Sequence, residues 1–355
     1  MRQTDGDPAH KYSRYMVNRE FIREEKDFPS VQCFAHGLDF LDMNRDADDW
    51  FLQIETFDPH EPFYAPERFK APFKTGWNGP IRDWPRYEKV DELPEEADEL
   101  RANYYATVSL CDFLLGQLLD HFDLHDLWKD TALVVSTDHG FLLGEHDFWA
   151  KNRMNMYEEI VHIPLLAHHP TRLRPGRSDR LTQSIDIAPT FLDFFGIAPP
   201  PEVEGRSLLK PNAREAAIFG YFGGAVNVTD GRYTYHRFPT DIAAQEIFQY
   251  TVMPTHIDRP FTPQELSAAT LAKPFGWTKS VPLLKVPVTD RSPMYRNYGP
   301  GALIEKDTRL YDLRNDPGQV KPLDDAAAEA RMVALMRGLM EKNEAPPEAF
   351  ARLGL

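Results

Sequence analysis

A chain of 355 residues, 42% hydrophobic and 12% aromatic, is long enough to bury a substantial core and too apolar to stay disordered. Its formal net charge of −15 excludes a nucleic-acid binder that works through a basic face, but not a small anionic substrate met by local cations. The 2 cysteines, in unrelated contexts, make neither a disulfide framework nor a zinc ribbon, and no apolar run approaches the roughly 18 residues of a membrane span.

Residues 1 to 30 are charged and weakly patterned, and no element is assigned to them. Met1 to Asp7 lacks the apolar core of a signal peptide, so the chain as it stands is expected in the cytoplasm. A preceding segment carrying a signal would make it periplasmic or secreted. Trp50 to Thr56 is a β-prone run that delivers Asp58, Pro59 and His60 at its end. Residues 64 to 94, dense in aromatics and prolines, read as a packed surface excursion at the mouth of a site. From Glu95 to Phe122, apolar residues recur at spacings of three and four, which predicts an amphipathic helix. Tyr104 and Tyr105 are expected to fill its core.

A strand is expected from Ala132 to Thr137, followed at once by Asp138, His139 and Gly140. This is how an α/β sheet delivers polar groups to the crevice at its carboxyl edge. Asp186 is expected to cap the next helix, with Pro189 in its first turn and Gly196 at its end. Ala217 to Phe222, Ala225 to Thr229 and Arg232 to Phe238 read as antiparallel strands, the last two joined by Asp230-Gly231. The stretch from Pro254 to Pro300 reads as irregular. Asp324 to Met340 is a terminal helix expected to pack on the small sheet. Asn227-Val-Thr229 fits a glycosylation triplet, but in a strand it carries little weight.

Four motifs carry a resemblance. Ser136-Thr-Asp-His-Gly-Phe-Leu-Leu-Gly-Glu-His146 runs on through Trp149-Ala-Lys151, Met156-Tyr-Glu-Glu159 and His162-Ile-Pro-Leu-Leu166. Phe57-Asp-Pro-His-Glu-Pro-Phe63, Asp186-Ile-Ala-Pro-Thr190 and Leu310-Tyr-Asp-Leu-Arg-Asn-Asp-Pro317 complete the set. Together, over roughly residues 50 to 320, these resemble the sulfatases of the alkaline phosphatase superfamily. The resemblance implies an α/β sandwich with a mostly parallel sheet over residues 1–210. A smaller antiparallel subdomain with a terminal helix is implied over 211–355.

Sulfatases also carry an Asp-Asp strand end, a Cys- or Ser-x-Pro-x-Arg segment whose first residue becomes formylglycine, and a Lys-x-His pair. None stands in this sequence: Cys33 and Cys111 lack the Pro and Arg, and Asp48-Asp49 precedes a strand-like run instead of following one. The expectation is a chain that resembles the later part of a sulfatase, lacking its opening strands and its nucleophile. It would be inactive or nearly so alone, with a separate N-terminal half as a conceivable partner.

By resemblance, Asp138 and His139 are two ligands of a divalent cation. Ca²⁺ comes first, with Mg²⁺ as an alternative, and the imidazole leaves Mn²⁺ or another transition ion open. Lys151 would contact sulfate oxygens near the leaving group, and His60 would hold the sulfuryl group or protonate the departing alkoxide. His146 either lies beside the substrate pocket or anchors its loop. Glu145, His162, His168 and His169 are read as structural or surface residues, the last pair solvated. The partner implied is a small-molecule or saccharide sulfate ester, with no nucleic acid. Two further readings stand beside hydrolysis of sulfate esters: a phosphonate or phosphodiester hydrolase of the same superfamily, and a non-catalytic binding descendant.

Overall fold

The computed structural model describes residues 11–211, 214–256 and 259–355, so the leaderless start expected of Met1–Asp7 lies outside it. The chain divides into two compact units: Met1–Val135 with Leu142–Ala150 and Leu165–Leu173, and Ser136–Phe141 with Lys151–Pro164 and Arg174–Leu355.

The first unit is built on helices: α1 (Lys11–Arg19), α2 (Pro29–Met43), the single turn α3 (Glu67–Lys70) and the long α4 (Pro94–His125). Pro94 at its first position and Glu95 and Glu96 in its first turn favour the start of α4, and Asp126 in the left-handed region ends it. The helix is as expected, but of the apolar face read from Leu100, Tyr104, Val108, Cys111, Leu115, Leu118 and Phe122 only Leu100, Leu118 and Phe122 are buried; Ala106, Leu110 and Leu114 complete the buried face, and Val108 is exposed. Tyr104 packs edge-on against Phe63, whereas Tyr105 is exposed, so only the first of that pair fills the core as expected.

Helix α1 forms where none was expected. Its short amphipathic pattern is held by a tertiary anchor: Tyr15 and Arg19 both donate to the buried Asp83 carboxylate at 2.8 Å. The run Trp50 to Thr56 is not a strand. Trp50, Leu52 and Ile54 alternate onto Leu41, Leu118 and Phe122, but no neighbouring strand pairs with the run.

The strands of this unit are β1 (Leu133–Ser136), β2 (Leu142–Leu143), β3 (Trp149–Ala150) and β4 (Leu165–His168). β1 pairs with β4 alone, and β2 with β3 as an antiparallel hairpin. The expected mostly parallel sheet is therefore not found among the described residues. The strands lie in small sheets, and β1 and β4 are half exposed where a helix-covered parallel sheet would bury them.

The second unit contains α5 (Glu158–Val161), α6 (Ile187–Phe194) and an antiparallel sheet in the order β11-β7-β6-β5. These strands are Arg309–Asp312, Tyr233–Arg237, Val226–Thr229 and Ala217–Gly220. A further sheet joins β8 (Ile247–Thr251) to β10 (Leu283–Val288) and β9 (Thr270–Ala272); the last two lie in the stretch read as irregular, with the short helices α7 (Pro263–Ala268) and α8 (Pro293–Tyr298). Helix α9 (Ala326–Lys342) lays Met332, Met336 and Met340, one turn apart, onto Val228, Tyr235 and Leu310; α10 (Pro347–Leu353) adds Leu353 to the same core. Asn227 is fully buried on β6, which removes it as a glycosylation acceptor.

The β6–β7 turn depends on Asp230. Its Oδ1 accepts from Arg232 N at 2.9 Å and Tyr233 N at 2.7 Å, and its Oδ2 pairs with Arg331 of α9. Burial pushes this carboxyl up, but Arg331 and the two amides outweigh it and hold it below its usual range. A depressed folded pKa means stability fully present above the unfolded value of about 3.9 and lost as pH falls through the folded one. Asp230→Ala is expected to cost about 1 kcal/mol at neutral pH, a value that allows for screening at the half-exposed Arg331. In urea titrations its difference from wild type should shrink below about pH 4; an undiminished difference would show that the ion pair contributes nothing.

Candidate active site

The second unit brings together three of the sequence-predicted residues. β1 ends at Ser136, whose hydroxyl donates to Pro164 O at 3.0 Å, and the chain then presents Asp138 and His139 before turning at Gly140. Gly140 N donates to Ile160 O at 2.7 Å, which ties the turn to α5.

His139 Nδ1 lies 3.0 Å from Gly140 O. An Nδ1–H donating to that carbonyl leaves the Nε2 lone pair facing outward. Toward it point the Lys151 ammonium, at 3.2 Å, and Asp138 Oδ2, at 3.3 Å. Asp138 is held below the usual carboxylate range: burial acts upward, but His139, the backbone amides and Lys151 act more strongly the other way. It is therefore a carboxylate at neutral pH, with its side chain 79% exposed and its oxygens open to a ligand.

Lys151 is not a solvated surface lysine, being only 6% exposed. It lies 5.8 Å from the centre of the Phe141 ring, and Ala150 and Asn152 on either side both have φ near +70°. Such backbone costs roughly 1–3 kcal/mol per residue and persists only where the surroundings enforce it. Here they do. Arg153 donates to Ala302 O at 3.0 Å and accepts from Ile304 N at 2.6 Å; Glu305 takes Tyr157 OH at 2.9 Å and Asn155 N at 3.1 Å; Glu158 N donates to Gln319 at 2.7 Å. The segment after Lys151 is thus stitched to two distant parts of the same unit.

Sequence reasoning missed Asn155. It is buried, and neither atom of its side-chain amide has a hydrogen-bond partner, a configuration that calls for a water or a ligand. The signal was its place between Lys151 and Met156-Tyr-Glu-Glu159.

His60 and His146 belong to the first unit. Cis bonds precede Pro59 and Pro62, so His60 stands in a doubly folded loop. Its Nδ1 lies 2.7 Å from Glu61 O and 3.2 Å from Glu61 Oε2, its ring stacks on Phe57 at 4.4 Å, and Tyr87 OH donates to the buried Glu61. The bond at Nδ1 is to the backbone carbonyl of Glu61, which orients the imidazole, while the carboxylate lies close by. His146 occupies the turn between β2 and β3 with φ 55°, where Leu143 N donates to Glu145 at 2.5 Å. His169, read as solvated, is buried and accepts from Thr171 N at 3.1 Å and Arg172 N at 3.2 Å.

One carboxylate and one imidazole fit a divalent cation as part of a site, but fall short of the six to eight oxygens Ca²⁺ takes. Formylglycine does not fit. The Cys33 thiol donates to Glu55 O at 3.2 Å, and Cys111, inside α4, is pushed up to about 12 by burial and then by Asp58. A buried thiol such as that of Cys111 is inert.

Residues 4–197 match the family described as Sulfatase, and residues 144–259 match the C-terminal region of N-sulphoglucosamine sulphohydrolase. N-acetylglucosamine-6-O-sulfatase of Bacteroides thetaiotaomicron is 35% identical over 131 residues, 34% of this chain and 23% of its own length. Choline-sulfatase of Rhizobium meliloti is 25% identical over 248 residues, 60% of this chain and 48% of its own. The chain thus spans less than half the length of either relative. Among solved structures, the phosphonate monoester hydrolase of Silicibacter pomeroyi superposes with a TM-score of 0.58 at 18% identity, covering 91% of this chain and 61% of that one. A Bacteroides thetaiotaomicron protein of glycosaminoglycan metabolism gives 0.60 at 18%, covering 90% and 60%. At these identities the likeness shows the fold alone, that of alkaline-phosphatase-like sulfatases. The family match begins at residue 4 and lends no support to the expectation of a missing opening part.

Proposed function

The chain belongs to the sulfatase family, and on that premise we propose that Asp138, His139 and Lys151 form a site for the sulfate group of a sulfate ester. The observation that carries this reading is the buried ammonium of Lys151, 3.2 Å from the His139 imidazole and backed by a strained, anchored loop. A buried cation is what stabilises charge growing on sulfuryl oxygens as an S–O bond breaks. A divalent cation, held by Asp138 and His139 together with water and substrate oxygens, would supply Lewis-acid polarisation of those oxygens. The Lys151 ammonium would be displaced from His139 Nε2 by an ion on that nitrogen and left to face substrate oxygens. For His60, oriented through Nδ1 by Glu61, we propose proton donation to a leaving alkoxide.

No nucleophile is assigned, because no Cys- or Ser-x-Pro-x-Arg segment stands in the 355 residues. Binding is therefore expected to exceed turnover, which for this chain alone should be close to background. Phosphonate and phosphodiester hydrolysis is the alternative, since phosphoryl oxygens present the same tetrahedral charge to Lys151. A panel of an aryl sulfate, an aryl phosphodiester and an aryl phosphonate monoester, followed both by calorimetric binding and by phenol release, decides between them. The aryl sulfate is expected to bind most tightly; preference for either phosphorus ester would replace the sulfatase reading. Rapid turnover would show that a nucleophile lies among these residues after all.

A further inference from the structure

In the first unit, three side chains with no part in the proposed site converge. His121 and His125 stand one turn apart on α4, and Asp42 lies next to the end of α2. Nε2 of His121 is 4.0 Å, and Nε2 of His125 3.8 Å, from Asp42 Oδ1, and one ligand atom from each residue falls within 4.8 Å of the others. The imidazoles, with ring centres 4.4 Å apart, are 11% and 17% exposed, while the carboxylate is 53% exposed. Two mostly buried rings therefore point at a carboxylate that closes the pocket from the solvent side. Neither ring makes a hydrogen bond to the described residues, so the cluster is not explained as a satisfied structural network.

We propose that Asp42, His121 and His125 form a second cation site, selective for an imidazole-seeking transition ion such as Zn²⁺. Histidines at positions i and i+4 of a helix present both imidazoles to one ion. Tetrahedral coordination with bonds of about 2.1 Å sets neighbouring donors about 3.4 Å apart, so each imidazole needs to approach Asp42 Oδ1 by only about half an ångström. The exposed Asp42 side chain can supply that movement. Its Oδ1 also accepts from Arg45 at 3.1 Å, which orients the carboxylate toward the imidazoles. Water completes the shell. With one carboxylate and two nitrogens the site does not suit Ca²⁺ or Mg²⁺, which require oxygen cages. Since α2 and α4 each contribute, the ion would staple the ends of the two helices and stabilise the folded state.

The test is calorimetric titration of the EDTA-stripped full chain with Zn²⁺ alone, for wild type, Asp42→Asn, the double variant His121→Gln/His125→Gln, and Asp138→Asn. One Zn²⁺ equivalent is expected to weaken by about 100-fold or more in the first two variants and to remain in Asp138→Asn. Zn²⁺ should also raise the thermal midpoint of wild type and not that of Asp42→Asn. The last comparison holds even if the histidine double variant fails to fold, because Asp42 is half in solvent. Unchanged Zn²⁺ affinity in Asp42→Asn and in the double variant, or loss of all Zn²⁺ binding in Asp138→Asn, would overturn the proposal.

Discussion

Gly140→Ala is expected to destabilise the second unit by about 2–3 kcal/mol and to abolish binding of a sulfate ester. A Cβ at this position would lie 1.9 Å from Glu159 O and 3.0 Å from Glu159 C, both backbone atoms of the turn that receives Gly140 N. No side-chain rotation relieves such a clash. The backbone must move, taking with it the adjacent Asp138 and His139. Displacements of about 1 Å at a charged site commonly cost 100-fold in function, so the binding loss should exceed what the stability change alone explains. Gly338→Ala is the matched control: it lies inside α9 with nothing within 4 Å of its Cβ, and should stabilise by up to about 1 kcal/mol. Urea denaturation of both variants reads the contrast. A Gly140→Ala protein as stable as wild type, with intact binding, would mean that the turn tolerates another path.

Lys151→Met is expected to weaken aryl sulfate binding by about 10- to 100-fold while leaving the fold in place. A hydrogen bond to a charged group contributes roughly 1.5–3 kcal/mol, and the methionine keeps the buried stem of the side chain while deleting its charge. Lys151→Arg should not rescue fully, because a planar guanidinium cannot occupy the compact place of an ammonium 3.2 Å from His139 Nε2. Competition with inorganic sulfate gives a second readout of the same loss. Unchanged affinity in Lys151→Met would remove the cation from the substrate and leave it a structural partner of His139.

The helical parts were legible because their signal is local. Leu100, Leu110, Leu114, Leu118 and Phe122 repeat at helical spacing whatever they pack against, and Met332, Met336 and Met340 do the same in α9. Asp230-Gly231 announced its hairpin through turn chemistry, and the run ahead of Asp138 announced its strand. What escaped depends on partners distant in sequence. The run at Trp50, Leu52 and Ile54 has the period of a strand, yet among the described residues no second strand pairs with it. The sheet of β8, β10 and β9 was hidden by prolines. Pro287 sits in β10 opposite Phe248 of β8, past the end of the pairing with β9. Of the site, Asp138, His139 and Lys151 were readable as motif residues, while the loop ties through Ala302, Glu305 and Gln319 join residues about 150 positions apart. The pairing of Asp42 with His121 and His125 was invisible for the same reason.

The most direct measurement is a crystal structure of the full chain with an aryl sulfate bound. The account predicts sulfate oxygens within hydrogen-bonding distance of Lys151 Nζ, beside Asp138 and His139. A sulfate group seated against other side chains, with Lys151 still turned to His139, would contradict it.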